Sequence, residues 1–455
     1  MQLPPGIQTF PLLQTLELIA NPIRFFDKYR QRYGDTFTAR VLGLNSPPVV
    51  FLGNPEAVQS VFTAEPGQFE LGKVTHVFRP LTGDKSLIML DGERHRRQRK
   101  LLMPPLHGDR MKTYGKLIHQ LTQDAIANLP HHTPFAIRDP MSDISLEVIL
   151  RVVFGIQPGD RYQQLKHSIS SLLEAITNPV YSSFFFFPPL QKDLGSWSPW
   201  GHFVRRKAEI DALIYAEISE RRQQNYQEKT DILSLLITAE DENGEKMTDI
   251  ELRDQLLTLL FLGHETTASS LAWAFYWLYQ RPDIRQKLQQ EIAELGSNYT
   301  PEDLVSLPYL NAVCQETLRL YPIALISQPR IVKKPLTTQG ITYKEGTILI
   351  PCIYLAHHRP ESFPDSHTFK PERFLERKVS PFEHFPFGGG SRGCIGMAFS
   401  LYEMKLVLGT ILADLQLNLD TSVPVKPIRR GITIVPAGGK FTVTGYAEKP
   451  QAVTV

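Results

Sequence analysis

The chain has 455 residues, and its 42% hydrophobic content is ample for a large core. The formal net charge of +2 argues against a dedicated nucleic-acid-binding protein, because such proteins usually carry a far more basic surface. Three cysteines (Cys314, Cys352 and Cys394) are too few for a disulfide framework and indicate a reducing compartment.

No Ser/Gly tract, charge block or internal repeat divides the chain, although its length would allow about three domains. We therefore expect a single domain over residues 1–455, with a β-richer lobe over 1–90 and a helical body over 91–455. The N-terminus lacks a signal-peptide pattern, and the apolar run Leu12–Ile19 is too short to cross a bilayer. These features predict a soluble, cytoplasmic protein, and we expect a monomer.

The first elements form a mixed region. Asp27–Tyr33 has helical periodicity, and Thr36–Leu42 and Pro48–Leu52 are typical of a strand pair. Asn54 followed by Pro55 predicts the start of a helix, with a capping residue before a proline.

Helical periodicity dominates from Arg94 onward. The predicted helices are Arg94–Leu102, Asp109–Leu129, Ser145–Phe154, Tyr162–Ile176 and His202–Tyr226. Strand patterns return at Leu336–Pro351 and in a terminal hairpin of Gly431–Val435 with Phe441–Thr444. The pattern predicts a mainly α protein with small β-sheets.

The longest predicted helix runs from Asp249 to Tyr279. Its middle contains a polar group, Glu265-Thr266, inside an apolar run. A threonine in mid-helix usually donates its hydroxyl to the carbonyl four residues back, here that of Leu262. In this chain an acid precedes the threonine and Gly263 loosens the helix, so a small ligand could lie there.

A second interpretation of the same segment is a zinc site of the His-Glu-x-x-His type, beginning at His264. The second histidine would fall at Ala268, which cannot bind a metal. The sequence therefore argues against a zinc hydrolase.

A glycine-rich loop from Phe387 leads into Cys394, and an apolar-periodic helix follows. This order places the sulfur near a helix N-terminus, where free N–H groups stabilise an anion. We therefore expect a thiolate that acts as a metal ligand or a nucleophile. The alternative is a buried structural cysteine in a glycine-rich turn.

Five positions of this loop match the pattern Phe-x-x-Gly-x-Arg-x-Cys-x-Gly: Phe387, Gly390, Arg392, Cys394 and Gly396. The loop resembles the haem-ligand loop of the cytochromes P-450, and the resemblance extends over nearly the whole chain, most closely to soluble cyanobacterial members. It implies the P-450 fold, with a long central helix over a haem and the cysteine loop on the proximal side. It also implies haem b as cofactor, with Phe387 in the haem site, Cys394 as the axial iron ligand and Arg392 on a haem propionate.

Further positions match the same family. His95 and Arg99, four residues apart, resemble its propionate-binding pair, and Arg330 resembles a third propionate contact. Glu265 and Thr266 resemble its oxygen-activation motif, in which the threonine holds dioxygen by a hydrogen bond and the acid helps to deliver protons. Leu262 departs from that motif, because the family usually has alanine or glycine there.

Glu316 and Arg319 resemble the family's buried Glu-x-x-Arg pair, completed by Arg373. A guanidinium can bridge a carboxylate and backbone carbonyls, so we expect this group to hold its helix against the cysteine loop. Exposed pairs with the same spacing contribute little to stability.

The resemblance also implies a separate electron donor, since the chain has no room for a flavin domain. Three further cations of the 91–100 segment, Arg96, Arg97 and Lys100, cannot all face the haem. We expect them to form a basic docking patch for an acidic ferredoxin or flavodoxin.

The most apolar loop region, Phe184–Leu190 followed by Trp197 and Trp200, either packs inward or forms an aromatic lip at the substrate channel with peripheral membrane contact. Several residues are predicted to line an apolar pocket: Val74, Val77, Phe78 and Ile323 to Ile326. Arg79 is a candidate anchor for a substrate carboxylate.

Together these features predict a haem-thiolate monooxygenase that uses dioxygen and two electrons to hydroxylate or epoxidise a lipophilic substrate, such as a fatty acid or a terpene. One alternative is a haem-thiolate enzyme that uses peroxide or isomerises an oxygenated lipid; the pair Glu265 and Thr266 argues against it. Others are a haem-based sensor without turnover and a metal-free cysteine-nucleophile enzyme, in which His95 and Arg99 would have no purpose.

Overall fold

The computed structural model describes residues 3–65, 67–71, 75–178, 185, 191–195, 197–223, 230–431 and 433–446. Helices dominate these residues, as predicted. In chain order they are α1 Pro11–Ala20, α2 Pro22–Tyr33, α3 Pro55–Phe62, α4 Arg79–Thr82, α5 Gly92–Leu102, α6 Arg110–Ala127, α7 Arg138–Val148, α8 Asp160–Thr177, α9 Pro199–Gln223, α10 Ile232–Thr238, α11 Asp249–Gln280, α12 Pro282–Ala293, α13 Pro301–Ser306, α14 Pro308–Leu320, α15 Ile353–His357, α16 Arg373–Glu376 and α17 Met397–Asp414.

The main sheet combines strands from both halves of the chain. Its strands are β1 Thr36–Ala39, β2 Val49–Leu52, β3 Phe69–Glu70, β4 Arg330–Val332 and β7 Ile348–Pro351. Their order is β1-β2-β7-β4-β3, with β2 and β7 parallel and the other neighbours antiparallel. The predicted strand pair β1–β2 is confirmed. Val50 lies opposite Leu349, so strand β7, which precedes the cysteine loop in the chain, pairs directly with the N-terminal strand β2.

Three two-stranded sheets lie at the edges. The first pairs β5 Leu336–Thr338 with β6 Ile341–Tyr343. The second pairs β9 Lys426–Arg430 with β10 Thr433–Ala437, and the third pairs β8 Leu415–Asp420 with β11 Lys440–Tyr446.

The terminal pairing differs from our prediction. The strands predicted at Gly431–Val435 and Phe441–Thr444 exist, but they do not form a hairpin with each other. Gly438 and Gly439 connect them with φ angles of 91° and 63°, a left-handed turn in which the two strands enter different sheets. The hairpin prediction was wrong because each strand finds its partner earlier in the chain.

The long helix α11 forms almost as predicted, one residue longer than Asp249–Tyr279. Thr248 accepts from the Glu251 N–H, and the Glu251 side chain accepts from the Thr248 N–H, which is the expected capping box. Pro282 starts the next helix and ends this one. Most of its residues are buried, because α7, α9, α14, α17 and β10 all pack around it.

Two predicted helices begin more than one turn earlier than expected: the first at Pro22 instead of Asp27, and a second one nearer the site. The predicted helix Ser145–Phe154 begins earlier, at Arg138, and changes at Ile149–Val153 into a π-helical turn. The early start matters for the site, because it brings Arg138 onto the surface of α11.

Candidate functional site

The cysteine loop is compressed against α3. Gly389 and Gly390 touch Phe62 so closely that an added Cβ would lie 2.3 Å and 2.4 Å from its atoms. Gly390 has a φ of +64°, which a side chain would strain. The Cys394 N–H donates to the Phe387 carbonyl at 2.9 Å. The loop therefore holds Cys394 in one place, directly ahead of α17.

Cys394 itself differs from our expectation of a ready thiolate. Helix α17 begins at Met397, so the sulfur lies just outside its first turn. Burial raises the pKa of the Cys394 thiol, while the Gly396 N–H and Arg99 act in the opposite direction. The residue is nevertheless exposed, so its sulfur is free to meet a ligand. Loss of its proton then depends on a partner such as a metal ion.

Cationic side chains from three parts of the chain meet beside this loop. Arg99 donates to the Gly393 carbonyl at 2.7 Å, and Arg392 donates to the Leu90 carbonyl at 2.7 Å and forms an ion pair with Asp91 at 2.5 Å. Burial lowers the pKa of Arg330 to about 9, with Arg392 as a second cause. Three guanidinium groups thus share the neighbourhood of one carboxylate.

His95 belongs to the same cluster. Burial, together with repulsion from Arg392, Arg99 and Arg330, lowers its pKa to about 4. The ring is therefore neutral at pH 7 and can donate one hydrogen bond without adding charge.

This cluster fits a ligand that carries two carboxylates. Arg330 is buried and, among the described residues, donates only to the nearby carbonyls of Gln328 and Pro329, at 2.6 Å and 3.4 Å. Beside it, the Ser327 hydroxyl, which can donate to an anion, is buried and has no hydrogen-bond partner among the described residues. Buried cations and orphaned polar atoms destabilise a protein unless a ligand pairs with them. The two propionates of haem b match this need.

The buried ion-pair group forms behind the loop as predicted. Glu316 accepts from Arg319 at 2.7 and 2.9 Å and from Arg373 at 3.1 Å, and all three side chains are buried. Arg319 also donates to the His357 carbonyl at 2.9 Å, and the His357 ring accepts from the Phe385 N–H at 3.0 Å.

The chain of contacts continues from Phe385 to the cysteine loop. The Phe385 ring packs edge-to-face on Phe62 at 5.3 Å, and Phe62 supports Gly389 and Gly390. The ion-pair group is therefore connected through packed groups to the loop that holds Cys394.

A cavity lies over the face of α11 that carries Leu262, Glu265 and Thr266. It encloses about 710 Å³, including the part open to solvent, and its described lining is almost wholly apolar. The lining residues are Val77, Phe78, Leu81, Leu173, Ile176, Thr177, Phe185, Phe261, Leu262, Glu265, Thr266, Arg430, Gly431 and Thr433. Leu262, Glu265 and Thr266 thus face one cavity, and Glu265 and Arg430 carry the charges of its described lining.

The Thr266 hydroxyl donates to the Leu262 carbonyl at 2.7 Å and lies 3.1 Å from the Gly263 carbonyl. This is the ordinary arrangement of a helical threonine. Its neighbour Thr267 turns to the opposite side, where its hydroxyl meets that of Ser400 on α17 at 3.1 Å. The cavity wall and the helix after Cys394 are therefore in direct contact.

Glu265 is held by an arginine that sequence reasoning missed. Arg138 Nη2 lies 2.7 and 2.6 Å from the two carboxylate oxygens, and Arg430 Nε lies 3.5 Å from one of them. His264, on the neighbouring side of the helix, is buried, and burial lowers its pKa to about 3, so it is neutral. The sequence carried no signal for Arg138, because it lies 127 residues away from Glu265.

Comparison with known proteins identifies the family. The family model described as cytochrome P450 matches residues 4–443. This chain belongs to the cytochrome P450 family. The assignment confirms the resemblance, the mainly α fold and the haem b cofactor of this P450, and it makes the protein a cytochrome P450 monooxygenase, a haem-thiolate enzyme.

Individual relatives agree with the family assignment. The chain is 34% identical over 440 residues to a Mycobacterium tuberculosis protein assigned as cytochrome P450 135B1, covering 96% of this chain and 90% of that protein. It is 32% identical to the one assigned as cytochrome P450 138, covering 96% and 95%. The solved structure of cyanobacterial CYP120A1 bound to retinoic acid superposes with a TM-score of 0.83 at 26% identity, covering 98% of this P450 and all of that chain.

The predictions about which residues line the apolar pocket of this P450 were met only in part. The side chains of Ile323 to Ile326 pack in or against two hydrophobic core clusters, and these residues are absent from the described lining of the cavity. Val77 and Phe78 do line it, whereas Val74 lies outside the described residues. Arg79 is exposed and paired with Asp84, so it does not reach the cavity.

The proposed basic patch is neutralised within the protein. Arg97 pairs with Asp241 and, at 3.1 Å, with Glu251; Lys100 pairs with Glu242 at 2.5 Å; and Arg96 pairs with Glu93. The turn before α11 supplies two of these four acids, Asp241 and Glu242, and nothing in the local sequence of α5 indicates that it packs there.

Two other predictions concern membranes. Of the segment Phe184–Leu190, all but Phe185 lies outside the described residues, and Phe185 lines the cavity. Within the described ranges, no helix is both long and apolar enough to span a membrane.

Proposed function

We propose that this P450, as a single haem domain and a monomer, takes two electrons from a separate ferredoxin- or flavodoxin-type donor. It uses them with dioxygen to hydroxylate or epoxidise a lipophilic substrate such as a fatty acid or a terpene. The observation that carries the proposal is the apolar cavity whose wall includes Thr266 and Glu265. Such a cavity binds apolar ligands, and the two polar groups lie where a substrate would meet them.

The haem would be held by residues from both sides of the cysteine loop. Cys394 would bind the iron through its sulfur, with Phe387 beside it in the haem site. His95, Arg99, Arg330 and Arg392 would hold the two propionates: the three arginines supply positive charge, and the neutral His95 ring supplies a hydrogen-bond donor. When bound, haem supplies the redox chemistry of dioxygen reduction, and the protein supplies orientation and protons.

Thr266 and Glu265 would manage those protons. The Thr266 hydroxyl can leave the Leu262 carbonyl and point into the cavity, where Oγ1 would accept one proton as the hydroxyl releases its own, so that the group is unchanged after each transfer. Glu265 carries protons toward it when its carboxylate swings away from Arg138, which holds it by ion pairing. Removal of Arg138 would therefore alter the timing of proton delivery and leave the substrate cavity in place.

The route for a lipophilic substrate is supported by a second cavity of about 800 Å³ between α8 and α9. It shares Ile176 and Phe185 with the first cavity, and Trp200 and Phe203 pack against Phe185. A substrate entering between these helices would pass an aromatic gate at Phe185. Peripheral membrane contact through Phe184–Leu190 is proposed from the run of aromatic residues in the sequence of this segment.

The shape of the substrate is constrained by Leu262, whose side chain occupies space that alanine or glycine would leave open. The relative CYP120A1 was solved with retinoic acid, an apolar carboxylic acid, and this is consistent with a lipid-like substrate here. A separate donor remains part of the proposal, although the paired cations Arg96, Arg97 and Lys100 give it no free basic patch.

The experiment combines binding with turnover. Purified ferric holoprotein is titrated with a long-chain fatty acid and with a terpene of similar size, and the haem spin state is followed. Each binding ligand is then incubated with a ferredoxin and ferredoxin reductase, and reductant use and oxygenated product are measured. We expect substrate-stimulated reductant use, with product formation reduced in Thr266→Ala. Product with peroxide but none with the ferredoxin system would refute the proposal in favour of a peroxide-using enzyme.

A further inference from the structure

Arg430, at the end of β9, is the cation in the described lining of the apolar cavity. It lies in the described lining among apolar side chains, with Gly431 and Thr433 on one side and Phe261, Leu262 and Thr266 of α11 on another. Its side chain is about one-third exposed (34%), and burial lowers the pKa of its guanidinium, although an arginine stays protonated at neutral pH. A lasting positive charge therefore projects into a mainly apolar space.

This charge is incompletely paired. Glu265 is the nearest acid, but its oxygens are taken by Arg138 at 2.7 and 2.6 Å, which leaves Arg430 at 3.5 Å. The Arg430 Nε is buried and has no hydrogen-bond partner among the described residues. Asp139 and Glu174 also attract Arg430, but both are exposed, so water screens them. Two guanidinium groups thus share one buried carboxylate.

A second carboxylate would complete the arrangement. Placed against Arg430, it would extend the row Arg138, Glu265, Arg430 by one more acid, so that positive and negative groups alternate. The planar guanidinium of Arg430 would offer this carboxylate parallel N–H donors. The repulsion from Glu265 is limited because Arg138 already neutralises that group. The remainder of such a ligand would lie on the apolar lining, for which the cavity is suited.

We propose that Arg430 binds the carboxylate of an apolar acid inside this cavity, so that this P450 selects long-chain carboxylic acids over neutral lipids of the same length. The inference rests on the proposed function, since it names the substrate class of the same site. It replaces Arg79 as the anchor, because Arg79 is exposed and paired with Asp84.

The test compares one acid with its neutral counterpart on the holoenzyme. Binding of dodecanoic acid and of methyl dodecanoate is measured at pH 7 by isothermal titration calorimetry, which needs no turnover. Haem content is checked first for each protein. The variants are Arg430→Gln, Arg430→Lys and the matched control Arg79→Gln, which makes the same substitution at the exposed arginine.

We expect the wild type and Arg79→Gln to bind the acid about 10- to 100-fold more tightly than the ester, because a charged hydrogen-bonded pair is lost with the ester. Arg430→Gln should remove this preference by weakening the acid alone, and Arg430→Lys should retain part of it.

Three results would overturn the proposal: a wild-type preference near one, an equal loss of acid and ester in Arg430→Gln, or loss of the preference in Arg79→Gln. The first decides the matter even if Arg430→Gln fails to fold. Oxidation of a neutral lipid with the ferredoxin system would then still support the proposed function, so the two failures are distinguishable.

Discussion

Replacing Glu316 with alanine removes the carboxylate at the centre of the buried ion-pair group. Glu316 accepts from two nitrogens of Arg319, from Arg373 Nε at 3.1 Å and from the Lys370 N–H at 2.8 Å, and its own exposure is 0%. In Glu316→Ala both guanidinium groups would remain inside the protein without an acid. They would retain carbonyl acceptors, such as that of His357 at 2.9 Å.

The expected cost follows from that geometry. Removing one partner of a buried ion pair destabilises a protein by about 3–5 kcal/mol, and the carbonyl acceptors place this case near the lower value. Domains are typically stable by about 5–15 kcal/mol, so the loss is a large fraction of the total. Because the group supports the cysteine loop through His357, Phe385 and Phe62, we also expect haem to be lost.

The assay is urea unfolding together with haem content per protein. Glu209→Ala is a matched control, since Glu209 pairs with Arg206 at the same spacing of three residues but is 52% exposed; we expect it to cost about 0–1 kcal/mol. Glu316→Gln keeps one acceptor oxygen and should lie between the two. Full haem content and an unfolding midpoint equal to that of Glu209→Ala would refute the reasoning.

Three further predictions concern other buried groups. Burial raises the pKa of Glu403 to about 8 from an ordinary 4.5, so the stability of the protein falls as the pH rises between these values. Glu403→Gln should therefore be more stable than the wild type toward urea at pH 8. Equal urea midpoints would contradict this. Burial lowers the pKa of His384 to about 3 from 6.5, so the unfolded state takes up this proton at a higher pH than the folded state does. The stability of the protein therefore falls as the pH falls from 6.5 to 3. His384→Gln should lose less stability than the wild type between pH 7 and pH 4, as measured by urea midpoints. Arg392→Gln should release haem to apomyoglobin about tenfold faster, while the exposed Arg377→Gln should not; equal rates would exclude a propionate contact at Arg392.

Local signals in the sequence predicted the parts of this P450 that depend on neighbouring residues. Thr248 and Glu251 cap α11 because both partners of the capping box lie within one turn. The haem-loop pattern is equally local, and its Gly390 lies where the backbone has no room for a Cβ. The strands at the C-terminus were also predictable, since alternation reveals a strand but not its partner.

What only the tertiary structure decided is the pairing of charges. Arg97 and Lys100 appeared to be a free patch until the turn before α11 placed Asp241 and Glu242 on them, and Arg79 appeared to be an anchor until it was found with Asp84. The cavity's cation proved to be Arg430, 165 residues beyond Glu265. The sequence by itself determined the family, the haem loop and the polar pair on the long helix, because these are fixed by spacing along one segment. Electrostatic partners depend on which segments pack together, and long-range burial in the folded chain decides that.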